Sequence, residues 1–395
     1  MFTGFRRRFW QPPRAHGEII DDRRVSFLEL FYDLVYVVVI ARTAATLAAD
    51  LTWRTAGEFA VIFGMIWVGW VNGAIYHELH SREDGRTRVF VFLQMLILTL
   101  LAVFASGAGG DDGPAFAITY AVFLAVLAWL WASVRRHDDE IFRVDSGRYV
   151  IGMLLSIVAM VFSAFVPEAA RMTIWAVFVL GWIVGAALLA RTDSFQVAAP
   201  VTPSMVERYG LLIIIVLGEV VVGVVDGIAH SPGDARSIAT GLIALTVGFA
   251  YWWTYFDFVG EKMPIPSGPA LARWMYSHLP LIMAIAGAGA AMVSLIEHAG
   301  DDRAPVATSW LLTGAVAVGL LSLVLTMSAL QTYRDHPGMH RSIASAVTVT
   351  AAASIAVGWW RPAPWVLVLV LLLLLTAVWF NAVSLKLQQQ QGIIE

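Results

Sequence analysis

Glu29 and Asp33 lie on Val25–Leu47, a run long and apolar enough to cross a bilayer. Their i,i+4 spacing puts both carboxylates on one helix face, with Tyr36 and Ile40 continuing the stripe. An ionisable group inside a span costs roughly 2.5–3.5 kcal/mol on insertion scales, so it faces protein or a wet cavity and becomes a candidate for handling ions or protons. Asp33 lies about 10 Å inside the span at 1.5 Å per residue, too deep for a short side chain to reach bulk water. Glu29 is shallower, and an acid that stabilises the positive end of the first turn is an equal reading of it.

Arg42 sits about 13 Å further along the same helix than Asp33 and on its far side, so the two cannot pair within it. It needs a counter-charge elsewhere or must extend outward along its stem. A later span carries Arg208, Glu219 and Asp226 on one face. Arg208 and Asp226 lie near its ends and are expected to be solvated, whereas Glu219 is mid-span. Arg42 and Glu219 are expected to form a buried ion pair. His278, in Ser277-His278-Leu279-Pro280, is either a proton relay or a structural histidine, beside a proline that loosens its helix. Tyr36, Glu207, Arg208, Trp253 and Asp257 are read as supporting residues, the aromatic run Tyr251–Phe256 serving mainly packing and interface anchoring.

Other patterns fail as sites. His77-Glu78-Leu79-His80 has its histidines at i,i+3 rather than the i,i+4 of a zinc-protease helix. His336 and His340 have that spacing, but Pro337-Gly338 between them argues against a helix. Gly107–Gly113 is glycine-rich without the lysine and hydroxyl of a phosphate loop, and reads as an outer turn. No cofactor, metal or enzymatic activity is expected.

These residues must be positioned by helices in a membrane. The 395 residues are 59% hydrophobic and only 14% charged, far from soluble averages near 50% and 25%. Apolar runs of span length recur down the chain, giving twelve expected helices at roughly 26–47, 56–76, 88–106, 116–134, 149–166, 172–190, 207–229, 237–257, 274–297, 308–331, 342–359 and 364–386. The first 25 residues are basic, with Arg6, Arg7 and Arg8, and lack a cleavable leader pattern. Most of the 26 Lys and Arg fall on one side of the membrane, which predicts both termini in the cytoplasm. The absence of cysteine removes disulfides and thiolate metal sites; a net charge of −3 hides a strong asymmetry and by itself says nothing of nucleic acid, which is not expected as a partner. Trp53, Trp175, Trp310, Trp359, Trp360 and Trp365, near span ends, read as interfacial anchors.

The halves resemble one another. Ser26-Phe27-Leu28-Glu29-Leu30-Phe31 answers Ser204-Met205-Val206-Glu207-Arg208-Tyr209, and Trp67 and Trp70 answer Trp252 and Trp253. Arg88 answers Arg273, Arg148 answers Arg341, Pro167 answers Pro362 and Trp175 answers Trp365, in order. The fold class is therefore an all-α polytopic membrane protein of about 12 transmembrane helices in two parallel six-helix repeats. Its parts are a basic segment 1–25, a first repeat 26–190, a linker 191–206, a second repeat 207–386 and a tail 387–395. Gly69…Gly73 and Gly181…Gly185 have GxxxG spacing, read as packing inside one bundle, with a homodimer as the alternative. Val366–Leu375 is read as lipid-facing.

The motif Glu29-Leu30-Phe31-Tyr32-Asp33-Leu34-Val35-Tyr36-Val37, then Glu207-Arg208-Tyr209-Gly210 to Leu217-Gly218-Glu219, Trp252–Asp257 and His278-Leu279-Pro280, resembles the bacterial low temperature requirement protein A (LtrA) family along nearly the whole chain. That resemblance implies a multi-pass protein of the bacterial inner membrane and no particular activity. Where the family usually has a small polar residue after Gly-Glu, this chain has Val220. A fainter similarity, Phe31-Tyr32-Asp33 after Arg24, is to twelve-helix potassium channels of lysosomes and bacteria. Together the residues lead to an expectation of transport: an ion or small solute moves along a central polar path. In it Asp33 and Glu219 bind a proton or cation, Arg42 balances charge, and Glu29 and His278 assist. An uncoupled channel and a membrane-embedded lipid-binding protein or enzyme are the alternatives. The expected partners are the lipid bilayer and an unidentified ion or small molecule.

Overall fold

The computed structural model describes residues 9–18, 23–138, 140–191 and 201–390. Arg6, Arg7 and Arg8, most of the 191–206 linker and the end of the tail lie outside the described residues. Among the described residues twelve helices are long and apolar enough to cross a membrane, so this is a multi-pass helical membrane protein in contact with lipid. They are α1 (Phe27–Ala49), α2 (Trp53–His80), α3 (Gly85–Ala105), α4 (Gly113–Arg135), α5 (Glu140–Ser163), α6 (Glu168–Leu189), α7 (Pro203–His230), α8 (Ala235–Phe258), α9 (Gly268–Glu297), α10 (Val306–Met327), α11 (Pro337–Trp360) and α12 (Pro364–Gln390). A short turn of helix, Gln331–Asp335, precedes α11.

Several helices overrun the expected spans at polar ends that carry little hydropathy signal. α1 opens on a reciprocal cap: the Ser26 backbone N–H donates to Glu29 Oε2 at 2.9 Å, and the Glu29 N–H donates to Ser26 Oγ at 3.2 Å. Asp84 caps α3 by accepting from the Thr87 N–H at 3.0 Å. Pro337, expected to break a helix between His336 and His340, instead starts α11, because a proline in the first turn gives up an N–H that has no helical partner.

The chain forms two compact units. One comprises Gly57–Arg208 with the stretch ending at Thr43 and with Pro266–Pro269; the other comprises Ala44–Ala56, Tyr209–Ile265 and the chain from Ala270 onward. In the first, α4 packs on α3 and α5, and α5 on α6. Its densest helix is α2, whose glycines admit tyrosines: a Cβ at Gly73 would stand 2.8 Å from the Tyr32 hydroxyl, and one at Gly69 would stand 3.0 Å from Phe123. Gly181 and Gly185 have no atom within 4 Å of such a Cβ, so the second GxxxG is not a close contact. In the other unit, α11 packs on α10 and α12, and α12 on α8. A Cβ at Gly289 of α9 would stand 2.7 Å from the Glu219 carbonyl oxygen, which marks the close approach of α7 and α9.

Two surface expectations are corrected. Trp175 is fully buried and donates from Nε1 to Ser163 Oγ at 2.9 Å, whereas Trp53, Trp359, Trp360 and Trp365 are exposed as anchors would be. The Val366–Leu375 run buries one face through Leu367, Val368, Leu371 and Leu375 and exposes Leu373. A helix without polar residues gives no sign of which face meets lipid.

Candidate functional site

The polar cluster lies in the first unit, where α1 and α7 begin and α2 ends. Asp33 has no exposed surface, and Arg208 is only 3% exposed. Arg208 donates from Nε to Asp33 Oδ2 at 3.0 Å and from Nη2 to Asp33 Oδ1 at 2.7 Å, a two-point clasp. Trp70 Nε1 donates to Asp33 Oδ1 at 2.8 Å. The guanidinium carbon of Arg208 stands 5.7 Å from the Trp70 ring and 5.9 Å from the Tyr32 ring. Arg208 is therefore not the solvated residue its position in α7 suggested, because the helix starts early and a carboxylate waits at that depth.

Glu29 joins the same cluster: Arg208 Nη1 stands 3.7 Å from Glu29 Oε1, and Arg23 Nη2 donates to that oxygen at 2.5 Å. Glu29 thus pairs with both arginines through one oxygen and caps α1 through the other. Arg23 also donates to Glu78 Oε2, and to Ser204 Oγ at 3.1 Å. Glu78 Oε1 accepts from Thr202 Oγ1 at 2.6 Å and Ser204 Oγ at 2.8 Å. Two guanidinium groups thus face three buried carboxylates. Burying charges without such pairing would be strongly unfavourable. Tyr36 is buried next to it, its hydroxyl 3.2 Å from that of Tyr32.

Sequence reasoning missed Arg23, Glu78 and Ser204 as members. Glu78 was visible only inside the failed metal pattern. Ser204, the repeat match of Ser26, gives its hydroxyl to Glu78, while Glu207 is exposed and accepts from the Val25 N–H at 3.5 Å.

The remaining candidates are dispersed. Arg42 is exposed and donates from Nη2 to Ser106 Oγ at 3.0 Å, matching the reading in which its stem extends outward. Arg42 belongs to the first unit and Glu219 to the second, so neither unit by itself holds the expected pair. Glu219 is half-buried in the middle of α7. His278 is fully buried with both ring nitrogens engaged: Nδ1 donates to the Trp274 carbonyl at 2.6 Å, and Nε2 accepts from the Tyr255 hydroxyl at 3.0 Å. Asp257 accepts from Trp379 Nε1 at 2.8 Å, and Trp253 lies edge-on to Trp379 with ring centroids 5.0 Å apart. Among the described residues no three His, Cys, Asp or Glu side chains come together as a metal site.

Just outside the spans, Asp138 is buried, which by itself would raise its pKa. Hydrogen bonds from His16 and Ser146 outweigh that and hold it below the usual carboxylate value. Lys262, between α8 and α9, is pushed down to about 8 by burial, aided by the charge of Lys386.

A model of the bacterial low temperature requirement A protein (LtrA) family matches residues 24–379. An uncharacterized protein of Rhizobium meliloti (strain 1021) is 22% identical over 282 residues, covering 67% of this chain and 68% of the relative. No solved structure matches.

Proposed function

For this chain, which belongs to the bacterial low temperature requirement A (LtrA) family, we propose transport of an ion or small solute across the bacterial inner membrane, coupled to protons. The observation that carries this reading is the buried Asp33–Arg208 clasp with Glu29 beside it. Ionisable groups in spans are costly and tend to mark ion or proton pathways. Protonating Asp33 would remove the charge that holds Arg208 and loosen the start of α7 from α1 and α2. That gives a local event able to bias a helix movement. Glu219, mid-span in the second unit and without a hydrogen bond or ion pair among the described residues, is the second proton- or cation-binding carboxylate of the reading. His278, with both nitrogens occupied, is assigned to structure.

The preserved order of matching residues supports two parallel repeats. So does the recurrence of neighbours, the fourth span on the fifth and the tenth on the eleventh. The uneven Lys and Arg distribution supports cytoplasmic termini.

The test is flux in proteoliposomes under imposed pH and ion gradients. The reading expects pH-driven movement that Asp33→Asn and Glu219→Gln each abolish in protein that remains folded. Unaltered movement in both variants overturns it, and movement that needs no gradient of protons reassigns the protein as an uncoupled channel.

A further inference from the structure

The histidines of His77-Glu78-Leu79-His80 take no part in the clasp, yet their hydrogen bonding is incomplete in an informative way. His80 Nδ1 lies 2.9 Å from the carbonyl oxygen of Arg14. A carbonyl only accepts, so neutral His80 carries its proton on Nδ1 and presents a bare lone pair at Nε2. That Nε2 is buried and has no donor. Trp131 of α4 supplies the converse: its Nε1–H is buried without an acceptor, and its ring lies 5.2 Å from that of His80. His77 Nδ1 lies 2.7 Å from Ser81 Oγ, a hydroxyl that can donate or accept, and its buried Nε2 stands beside the buried amide of Gln94 with no well-formed hydrogen bond between them. Each unmatched buried group costs about 1–3 kcal/mol, and native proteins satisfy such groups with water where protein does not. A single water donating to His80 Nε2 and accepting from Trp131 Nε1–H would satisfy both.

These groups stand in a row. At one end His16 Nδ1 is 2.8 Å from Asp138 Oδ1, and the His16 ring is 4.5 Å from that of His80. Tyr76 follows at 5.6 Å, then His77 at 5.7 Å from Tyr76, then Tyr32 at 5.6 Å from His77. Tyr32 adjoins Asp33 and shares its hydroxyl contact with Tyr36. Asp138 and Arg14 are the charges around His80; Arg208, Glu29 and Arg23 are those around His77.

We propose that His16, His80 and His77, joined by buried water, form a proton-transfer row from Asp138 to the Glu29–Asp33–Arg208 cluster. The ligand of the unmatched nitrogens is water, and the moving species is the proton. A proton arriving from water at His80 Nε2 makes the imidazolium, whose Nδ1–H stays on the Arg14 carbonyl. The proton then leaves from Nε2 to water, so the ring returns to its starting tautomer and no net charge is left. Trp131 is a positioning residue that anchors the water. Only the use made of the delivered proton rests on the transport reading.

Two measurements test the row. Solid-state NMR of the full chain with 15N-histidine in lipid bilayers, assigned by His80→Gln and His77→Gln, is expected to show the Nδ1–H tautomer at His80. Nε2 should exchange magnetisation with water at both residues, and Trp131→Phe should weaken that exchange at His80. An Nε2–H tautomer, or no water exchange at either residue, overturns the proposal. Proton flux into proteoliposomes is expected to slow at least about tenfold in folded His80→Gln and His77→Gln, as loss of a positioned proton carrier predicts. Flux unchanged in both variants also overturns it. Wet histidines in a protein that passes no protons would sink both the transport reading and the proton row, while dry histidines with Asp33-dependent flux would sink the row alone.

Discussion

Arg208 grips Asp33 through two hydrogen bonds of 3.0 and 2.7 Å, so the start of α7 is tied to the interior of α1 by a buried ion pair. Removing one partner leaves an uncompensated buried charge, at a cost of about 3–5 kcal/mol. Arg208→Gln and Asp33→Asn are each expected to lower the detergent-solubilised protein's thermal stability strongly, and the double variant less than the sum. An additive double variant in thermal unfolding would refute the coupling.

The two GxxxG pairs should behave oppositely. Gly73→Ala would push a methyl group to 2.8 Å from the Tyr32 hydroxyl, displacing a ring packed beside the cluster. A loss of about 1–3 kcal/mol is expected there. Gly181→Ala and Gly185→Ala meet nothing within 4 Å and gain helix propensity, so yield and melting temperature should hold or rise. Equal sensitivity at all three sites would contradict this.

Lys262 gives a pH dependence with a definite sign. Burial lowers its pKa to about 8 from 10.5, so between those values the folded chain binds fewer protons than the unfolded chain. Stability linked to this group therefore rises as pH climbs through that window, and below it the buried charge is a standing penalty. Comparing unfolding of the unaltered protein with Lys262→Gln from pH 7 to 10 should show the unaltered protein gaining on the variant. A constant difference would dismiss it.

Asp138, in the connection between α4 and α5, ties the residues before α1 to α5 through His16 at 2.8 Å and Ser146 at 2.8 Å. Its pKa is depressed below 3.8 when folded, so its stabilisation is present above that value and fades as pH falls through the folded pKa. Arg14, only 2% exposed, donates to the carbonyls of Ser81 and Glu78 in the same docked segment. Asp138→Asn should speed trypsin cleavage at Arg14 at neutral pH, and acid should narrow the gap between variant and parent in acid-tolerant protease assays.

The elements were readable where hydropathy runs a full span, as in α3, α10 and α12, because twenty apolar residues have few other folds open to them. Their ends were less readable. Glu140, Gly268 and Pro337 begin helices in polar sequence, where hydropathy carries no boundary signal. Asp33 stood out because its cost in hydrocarbon is visible from type and depth alone. Its partner did not, since Arg208 looks like any arginine near a span end until its neighbours are known. Trp175 and Leu367 show the same limit for apolar residues, as no pattern in their helices distinguishes lipid from protein.

By itself the sequence determined that this chain crosses a membrane many times and that carboxylates are held inside it, because chain length, hydropathy and charge cost are properties of single residues and short runs. Only the tertiary structure decided that Asp33 is clasped by Arg208, that Arg23 and Glu78 complete the cluster, and that Gly73 rather than Gly181 admits a close neighbour. Those are meetings between residues far apart in sequence. They depend on how helices rotate and slide against one another, which no local pattern encodes.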